Sequence, residues 1–299
     1  MKTALMILLI LIALTLLLAC VLASKVVTGK RQTLEEAMQW QSDHYDTSFY
    51  TAVAKTNYAV CGYGNYVLHV EALRNPVPTD KYVIITHGYT DNHIGSLKYA
   101  KMYLDLGYNC ILYDIRGHGE NERTYTTYGV LESQDLLCLI EDTRTRYPRL
   151  TELGLHGESL GAATTVTVMK YRPAVDFAVA DCGFSDIWNV LEGAFKDMHI
   201  PAVFLNLADL GSRLRYRQSL KAMRPIDSLD DNQVPILFIH GAADSFILPK
   251  NSQDMSDRTQ GLQQIQLIED ADHAMSMITD PERYREYVEA FLDEVHAAG

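Results

Sequence analysis

Apolar and polar positions divide the chain into an apolar start, a polar stretch and a long alternating region. Ala4 to Ala23 carries no charge and has Thr15 as its one clearly polar residue. A helix of that length rises about 30 Å, the thickness of a bilayer core. Residues 25–50 are rich in Gln, Glu, Asp and Ser and are expected to form a helical, membrane-proximal connector. Tyr58–Val60 and Tyr66–Ala72 flank Gly62 and Gly64, a pattern that predicts a β-hairpin. Short apolar runs then alternate with helical periods. Strands are expected at Lys81–Thr86, Asn109–Tyr113, Leu153–His156, Val175–Ala180, Val234–His240 and Ile265–Ile268. Helices are expected at Leu97–Leu106, Leu131–Tyr147, Leu160–Tyr171, Asn251–Thr259 and Pro281–Ala297. In the last of these, Tyr284, Tyr287, Val288, Phe291, Leu292 and Val295 make one apolar stripe. Solidly apolar strands alternating with helices specify an α/β fold: a mostly parallel sheet covered on both faces.

The rhythm breaks between about 183 and 232. Helical pieces are expected there at Ile187–Met198, Ala202–Arg213 and Arg217–Met223, without a strand. An insertion of this size between sheet strands reads as a helical lid over the strand ends. Its Trp188, Phe195, Met198, Phe204 and Leu205 offer an apolar roof, or a surface that packs the insertion onto the body. The expected organisation is an anchor or signal segment at 1–24, a connector at 25–50, and one domain at 51–299.

Composition narrows the partners. Lys+Arg total 26 against Asp+Glu 38, a formal charge of −12, and no interior basic run offsets it. Nucleic-acid affinity comes largely from phosphate neutralisation, so nucleic acid is not an expected partner. The five cysteines have no CxxC and no metal-ligand spacing; they read as free thiols, and no metal or organic cofactor is implied. The N-terminal run reads as an uncleaved membrane anchor. A cleaved signal ending at Val21-Leu22-Ala23, or a lipobox at Leu17–Cys20, is the alternative. Lys2 lies before the run and Lys25, Lys30 and Arg31 after it, a count that slightly disfavours export.

The most specific chemical signal is Gly157-Glu158-Ser159-Leu160-Gly161. This G-x-S-x-G follows one expected strand and opens one expected helix, the setting of a strained turn that exposes a nucleophilic serine. His87-Gly-Tyr-Thr90, Tyr113-Asp-Ile-Arg-Gly-His-Gly-Glu120, Asp181-Cys-Gly-Phe-Ser-Asp186, Phe238-Ile-His-Gly-Ala-Ala-Asp244 and Asp272-His-Ala-Met275 lie around it in order. Together these stretches resemble the α/β-hydrolase superfamily over about residues 60–297. Within it they resemble bacterial membrane-anchored or cell-surface hydrolases of the serine aminopeptidase-like group. The resemblance implies an α/β-hydrolase fold with a helical lid, and a catalytic domain outside a single-pass anchor in the cell membrane.

A serine hydroxyl needs a base, and the base an orienting acid. The fold delivers them in the order Ser, Asp/Glu, His. His273, in a polar loop before the last helix, is the expected base. Asp244, in the loop leaving the strand Val234–His240, is the expected acid, with Asp181, Asp270 and Asp272 as weaker competitors. The oxyanion hole would take the backbone N–H groups of Leu160 and Tyr89. Of the other histidines, His44, His93, His199 and His296 read as solvent-facing, His69 and His156 as packed. His87, His118 and His240 read as shaping turns. Asp114 and Arg116 are expected to fix the loop 115–120 through a buried ion pair. These readings predict a serine hydrolase acting on an ester. Amide or peptide cleavage is the runner-up, with Glu158 as one acid for holding a free amino terminus. A catalytically silent binding domain is the alternative from another class.

Overall fold

A computed structural model describes residues 1–298. Its centre is an 8-stranded sheet. In chain order the strands are β1 (Ala54–Cys61), β2 (Val67–Arg74), β3 (Lys81–Thr86), β4 (Asn109–Tyr113), β5 (Glu152–Glu158), β6 (Phe177–Asp181), β7 (Ile236–Gly241) and β8 (Gln263–Ile268). They lie in the order β1-β2-β4-β3-β5-β6-β7-β8. The hairpin β1–β2 forms as expected, with Gly64 at φ 67° in its turn, where a side chain would be strained. β2 pairs antiparallel with β4, and every later pairing is parallel.

Period-two alternation sends neighbouring side chains of each parallel strand to opposite cores. Val83, Ile85, Cys110, Leu112, Phe177, Val179, Leu237 and Ile239 face one core. It is shared with α4 (Leu97–Asp105) and α11 (Pro281–Ala298), whose Tyr284, Val288, Phe291 and Leu292 are buried as the stripe predicts. Ile84, Ile111, Ala178, Ala180, Ile236 and Phe238 face the other. That side is covered by α5 (Val130–Arg146) and α6 (Leu160–Thr167), while α9 (Lys250–Arg258) packs on β7 and β8.

α1 spans Lys2–Val27. It is the one helix among the described residues long and apolar enough to cross a membrane. Residues 1–18 are exposed, whereas Ala19, Ala23 and Val27 are buried. They pack on α8 (Ala202–Tyr216) of the insertion, which also contains α7 (Ile187–Asp197). The third expected piece, Arg217–Met223, is not an α-helix. Arg217 turns left-handed at φ 56°, and only a single 3-10 turn, Leu220–Ala222, follows.

The polar stretch differs from a free connector. It contains α2 (Leu34–His44), started by a capping box between Thr33 and Glu36, and the short α3 (Ser48–Ala52). Ala37 of α2 is fully buried against the body, and the Gln32 N–H donates to Thr90 O at 2.7 Å. A polar composition concealed this docking because one apolar face and a few backbone bonds suffice for it.

Candidate active site

β5 runs into α6 through Gly157–Gly161, and Ser159 at the bend has φ 53° and ψ −112°. A non-glycine residue in that region is strained and held by its surroundings. The Ser159 N–H donates to Asp181 O at 2.8 Å, and the Ala163 N–H donates to Ser159 O at 3.0 Å. Both flanking glycines are required by space. A Cβ on Gly157 would stand 2.2 Å from Gly161 O, and one on Gly161 would stand 2.0 Å from Thr86 O.

The loops after β7 and β8 bring two distant side chains to this serine. Ser159 Oγ lies 3.0 Å from His273 Nε2. His273 Nδ1 lies 2.8 Å from Asp244 Oδ2. The other carboxylate oxygen of Asp244 accepts the Phe246 N–H at 3.0 Å and the Ile247 N–H at 2.8 Å. Burial alone would raise the Asp244 pKa, but hydrogen bonds from His240, His273 and the Ile247 amide outweigh it and hold the carboxyl well below the usual range. His240 sits behind the pair. Its Nε2 lies 3.2 Å from Asp244 Oδ2 and 2.7 Å from Ile247 O, and its Nδ1 lies 2.7 Å from Ser252 Oγ. Asp181, Asp270 and Asp272 make no contact with the His273 ring; Asp272 reaches only the His273 N–H, at 2.8 Å.

The N–H of Leu160 opens α6, ahead of the first intrahelical bond from Ala163. Among the described residues the Tyr89 N–H has no acceptor within the protein. The loop carrying Tyr89 is fixed from beneath. His87 Nε2 accepts the Ile115 N–H at 3.0 Å while Nδ1 faces Gly88 O at 2.7 Å. His118 Nε2 faces Tyr89 O at 2.5 Å. It is fixed from outside by the end of α1: the Tyr89 hydroxyl accepts from the Gly29 N–H at 2.8 Å and donates to Val26 O at 3.2 Å.

A cleft of about 340 Å³ opens over Ser159. Trp40, Tyr89, Phe246 and Met275 give it apolar walls, and Gln32, Asp91, Lys98 and Glu158 polar ones. No residue of 183–232 lines it, which corrects the expected roof. Phe195, Phe204 and Leu205 instead share one apolar cluster with Tyr128, Leu160, Ala163 and Val27, beside Ser159. The polar stretch contributes to the cleft in their place, through Gln32 and Trp40. No local motif marks those two residues, since their role depends on long-range docking. Phe246 was within reach of sequence reasoning, two residues beyond Asp244 in the same loop.

Glu158 points into the wall, where it pairs with the buried ammonium of Lys98 and accepts from Tyr99 at 2.6 Å. Burial would lower the Lys98 pKa; Glu158 reverses that and raises it. Desolvation pushes the neighbouring Asp91 carboxyl up to about 6, against the Asn92 amide it accepts from. Two further expectations are corrected. Arg116 forks onto Asp135 at 2.6 and 2.7 Å rather than onto Asp114. Asp114 instead accepts from His93 N–H at 2.8 Å, His93 Nδ1 at 2.9 Å and Glu120 N–H at 2.9 Å. His93 is therefore buried, not solvent-facing: the ladder end at Asp114 needed a donor that sequence spacing does not reveal. All five cysteines are free, and the described residues hold no cluster of metal-ligating side chains.

Comparison with known proteins agrees with this architecture. Residues 95–298 match the prolyl oligopeptidase family. The uncharacterized protein YqkD of Bacillus subtilis (strain 168) is 30% identical over 305 residues, covering 96% of this chain and 98% of that protein. Among solved structures, the Pyrococcus furiosus esterase Pf2001 superposes with a TM-score of 0.67 at 22% identity, over 84% of this chain and 96% of its own. Mouse alpha/beta hydrolase domain-containing protein 10 superposes with a TM-score of 0.63 at 17% identity, over 80% and 99%. The resemblance to the α/β-hydrolase superfamily thus holds, without singling out the serine aminopeptidase-like group. The chain belongs to the prolyl oligopeptidase family, within the α/β-hydrolase superfamily.

Proposed function

We propose that the chain is a serine hydrolase that cleaves carboxylic esters through an acyl-enzyme. The observation that carries this reading is the unbroken line from Ser159 Oγ to His273 Nε2 at 3.0 Å and from His273 Nδ1 to Asp244 Oδ2 at 2.8 Å. Ser159 Oγ attacks the carbonyl carbon and passes its proton to His273 Nε2. The resulting oxyanion takes hydrogen bonds from the Leu160 and Tyr89 N–H groups, each donor worth about 3–4 kcal/mol in the transition state. Collapse expels the alcohol, which leaves with the proton from His273. Water, deprotonated by the same imidazole, then attacks the acyl-enzyme; the acid departs and Ser159 recovers its proton. Asp244, ionised throughout, fixes the tautomer and stabilises the imidazolium.

The cleft supports an ester with an apolar group. Trp40, Phe246 and Met275 surround the nucleophile. The superposed Pyrococcus furiosus protein is named an esterase. A peptidase is the second reading, favoured by the matched family. For an aminopeptidase, however, Glu158 is already neutralised by Lys98, which leaves Asp91 as the acid at hand. A fluorophosphonate probe should label the native protein and not Ser159→Ala; equal labelling of both would remove the proposed nucleophile. Short- and long-chain acyl esters, run against aminoacyl and prolyl amides, separate the two readings by kcat/KM.

We further propose that α1 is a single-pass membrane anchor with the catalytic body outside the cell. The length of α1 and the uncharged run Ala4–Ala23 within it support the anchor, and the motif resemblance supports the side. Protection of the body from protease added to intact cells would reverse the orientation.

A further inference from the structure

Lys98 stands in the first turn of α4 and lines the cleft over Ser159. Its side chain is 4% exposed, and its ammonium reaches two acceptors. One is Glu158 Oε2, on the residue before the nucleophile. The other is Ala274 O at 3.1 Å, on the residue after the base. Burial lowers the pKa of this amine, but Glu158 more than reverses that, so both bonds are charge-assisted. The rings of Tyr99 and Trp40 flank the ammonium at 5.1 and 5.7 Å from their centroids, within range of a cation–π contact. The mount is rigid. The turn before α4 is pinned where the His93 N–H and Nδ1 meet Asp114 Oδ1 at 2.8 and 2.9 Å, and Leu97, Ala100 and Tyr103 of α4 are buried in the core.

The bond to Ala274 O goes beyond charge balance, for which Glu158 alone would suffice. That carbonyl accepts no backbone N–H among the described residues, and Ala274 has φ 60°. Ala274 occupies the third position of a turn closed by the Met275 N–H on Asp272 O at 3.1 Å, with His273 at the second. A positive φ there ordinarily belongs to glycine or asparagine, and alanine keeps it where its neighbours enforce it. Lys98 supplies that enforcement from α4. Its other bond falls on the segment that holds Ser159 at φ 53°. One cation thus ties together the two strained bends that carry the nucleophile and the base. Their side chains meet at 3.0 Å, from Ser159 Oγ to His273 Nε2. A misplacement of about 1 Å between such groups costs on the order of 100-fold in rate.

We propose that Lys98 is a positioning residue for the hydrolysis, a strut that fixes the His273 turn relative to the nucleophile's bend. It touches neither the reacting carbonyl nor the transferred proton. It acts through the backbone of Ala274 and the carboxylate of Glu158, and Glu158 seats the strut.

This role rests on the serine hydrolase reading, and the experiment keeps the two apart. Lys98→Met alone leaves Glu158 buried without its cation, which destabilises the protein whatever Lys98 does. The deciding variant therefore combines Lys98→Met with Glu158→Gln, removing both charges and the bond to Ala274 O together. Its fold is checked by the urea midpoint. Two rates are read on the full chain in dodecyl maltoside micelles. Labelling by a fluorophosphonate needs the Ser159–His273 pair but no particular substrate, so it decides even where the natural bond is an amide. Turnover of p-nitrophenyl butyrate gives kcat and KM. In the folded double variant the labelling rate and kcat should both fall about 10- to 100-fold, with KM within about threefold of native. Glu158→Gln alone, which leaves the ammonium an acceptor on either side, should lose several-fold less. A double variant that labels and turns over within about threefold of native reduces Lys98 to a counter-ion; the strut is then overturned and the serine hydrolase stands. A loss confined to KM overturns it too, by making Lys98 a substrate contact, as does a loss in Glu158→Gln equal to that of the double variant. Ser159→Ala labelled as fast as the native protein removes the hydrolase reading and the strut with it.

Discussion

At the residue scale, strain and charge are concentrated within a few ångströms. Ser159 is held at φ 53° by neighbours that leave no room for a Cβ on either flanking glycine. Gly161→Ala would drive a methyl into the Thr86 carbonyl, backbone against backbone. Chemical denaturation should show a loss of about 3 kcal/mol or more, or no folded protein at all. Asp244→Asn keeps the shape of the acid and reverses its hydrogen bonding to His273. If Asp244 orients the base, kcat should fall about 10⁴-fold, with KM little changed. A steady-state comparison in which the two enzymes differ by less than tenfold would shift the role of the acid elsewhere. The motif Gly157–Gly161 was legible as a sequence because the turn geometry is local and demands glycine. Asp244 and His273 were legible because each follows a strand whose order in the sheet is fixed. Lys98, Asp91 and the Arg116–Asp135 fork were not, since which charge meets which across four elements depends on packing that no spacing encodes.

At the scale of elements, the end of α1 and the segment after it act on the loop that carries Tyr89. Val26 O accepts from Tyr128 at 2.6 Å as well as from Tyr89. Val27 O accepts the Thr126 N–H at 2.9 Å, and Arg31 reaches Thr126 Oγ1 at 2.7 Å. Residues 1–18 make no such contact; they are exposed throughout. Two truncations should therefore behave differently toward a water-soluble ester. Removing residues 2–18 should leave kcat within about twofold. Removing residues 2–33 frees the Tyr89 loop and takes away Gln32, so kcat should fall tenfold or more while the protein stays folded by circular dichroism. The opposite ranking would mean that the apolar segment, not its junction, supports catalysis. Sequence patterning placed every strand and nearly every helix to within a few residues, because period and apolarity are local. It could not assign the polar stretch to the active site, where a single capping box and the burial of Ala37 and Gln41 fix α2 against the body.

At the scale of the whole molecule, the buried histidines set the response to acid. Desolvation lowers His87 to about 4 and His118 and His156 to about 3, so the folded state keeps them neutral while the unfolded chain protonates near 6.5. Groups depressed on folding contribute stability that is complete above the unfolded pKa and is lost as pH falls toward the folded one. Between pH 7 and pH 5 each of the three should cost about 2 kcal/mol. Asp91 and Asp181 act in the other sense. Desolvation raises both to about 6, so each gains stability as the pH drops through 6. His93, which burial would lower but Asp114 raises, and Asp135, raised by desolvation, act in that sense as well. The three depressed histidines have the wider intervals, and the expected net change is a loss. Urea unfolding at pH 5 should give a lower midpoint than at pH 7, with protons taken up on unfolding. Replacing His156, which sits between Tyr103 at 3.1 Å and Tyr284 at 3.2 Å, by glutamine should flatten that dependence by more than one third, because it removes one of three sites whose sum the carboxyls already offset in part. A slope unchanged in His156→Gln would assign the acid sensitivity to the remaining pair, His87 and His118, which both support the Tyr89 loop.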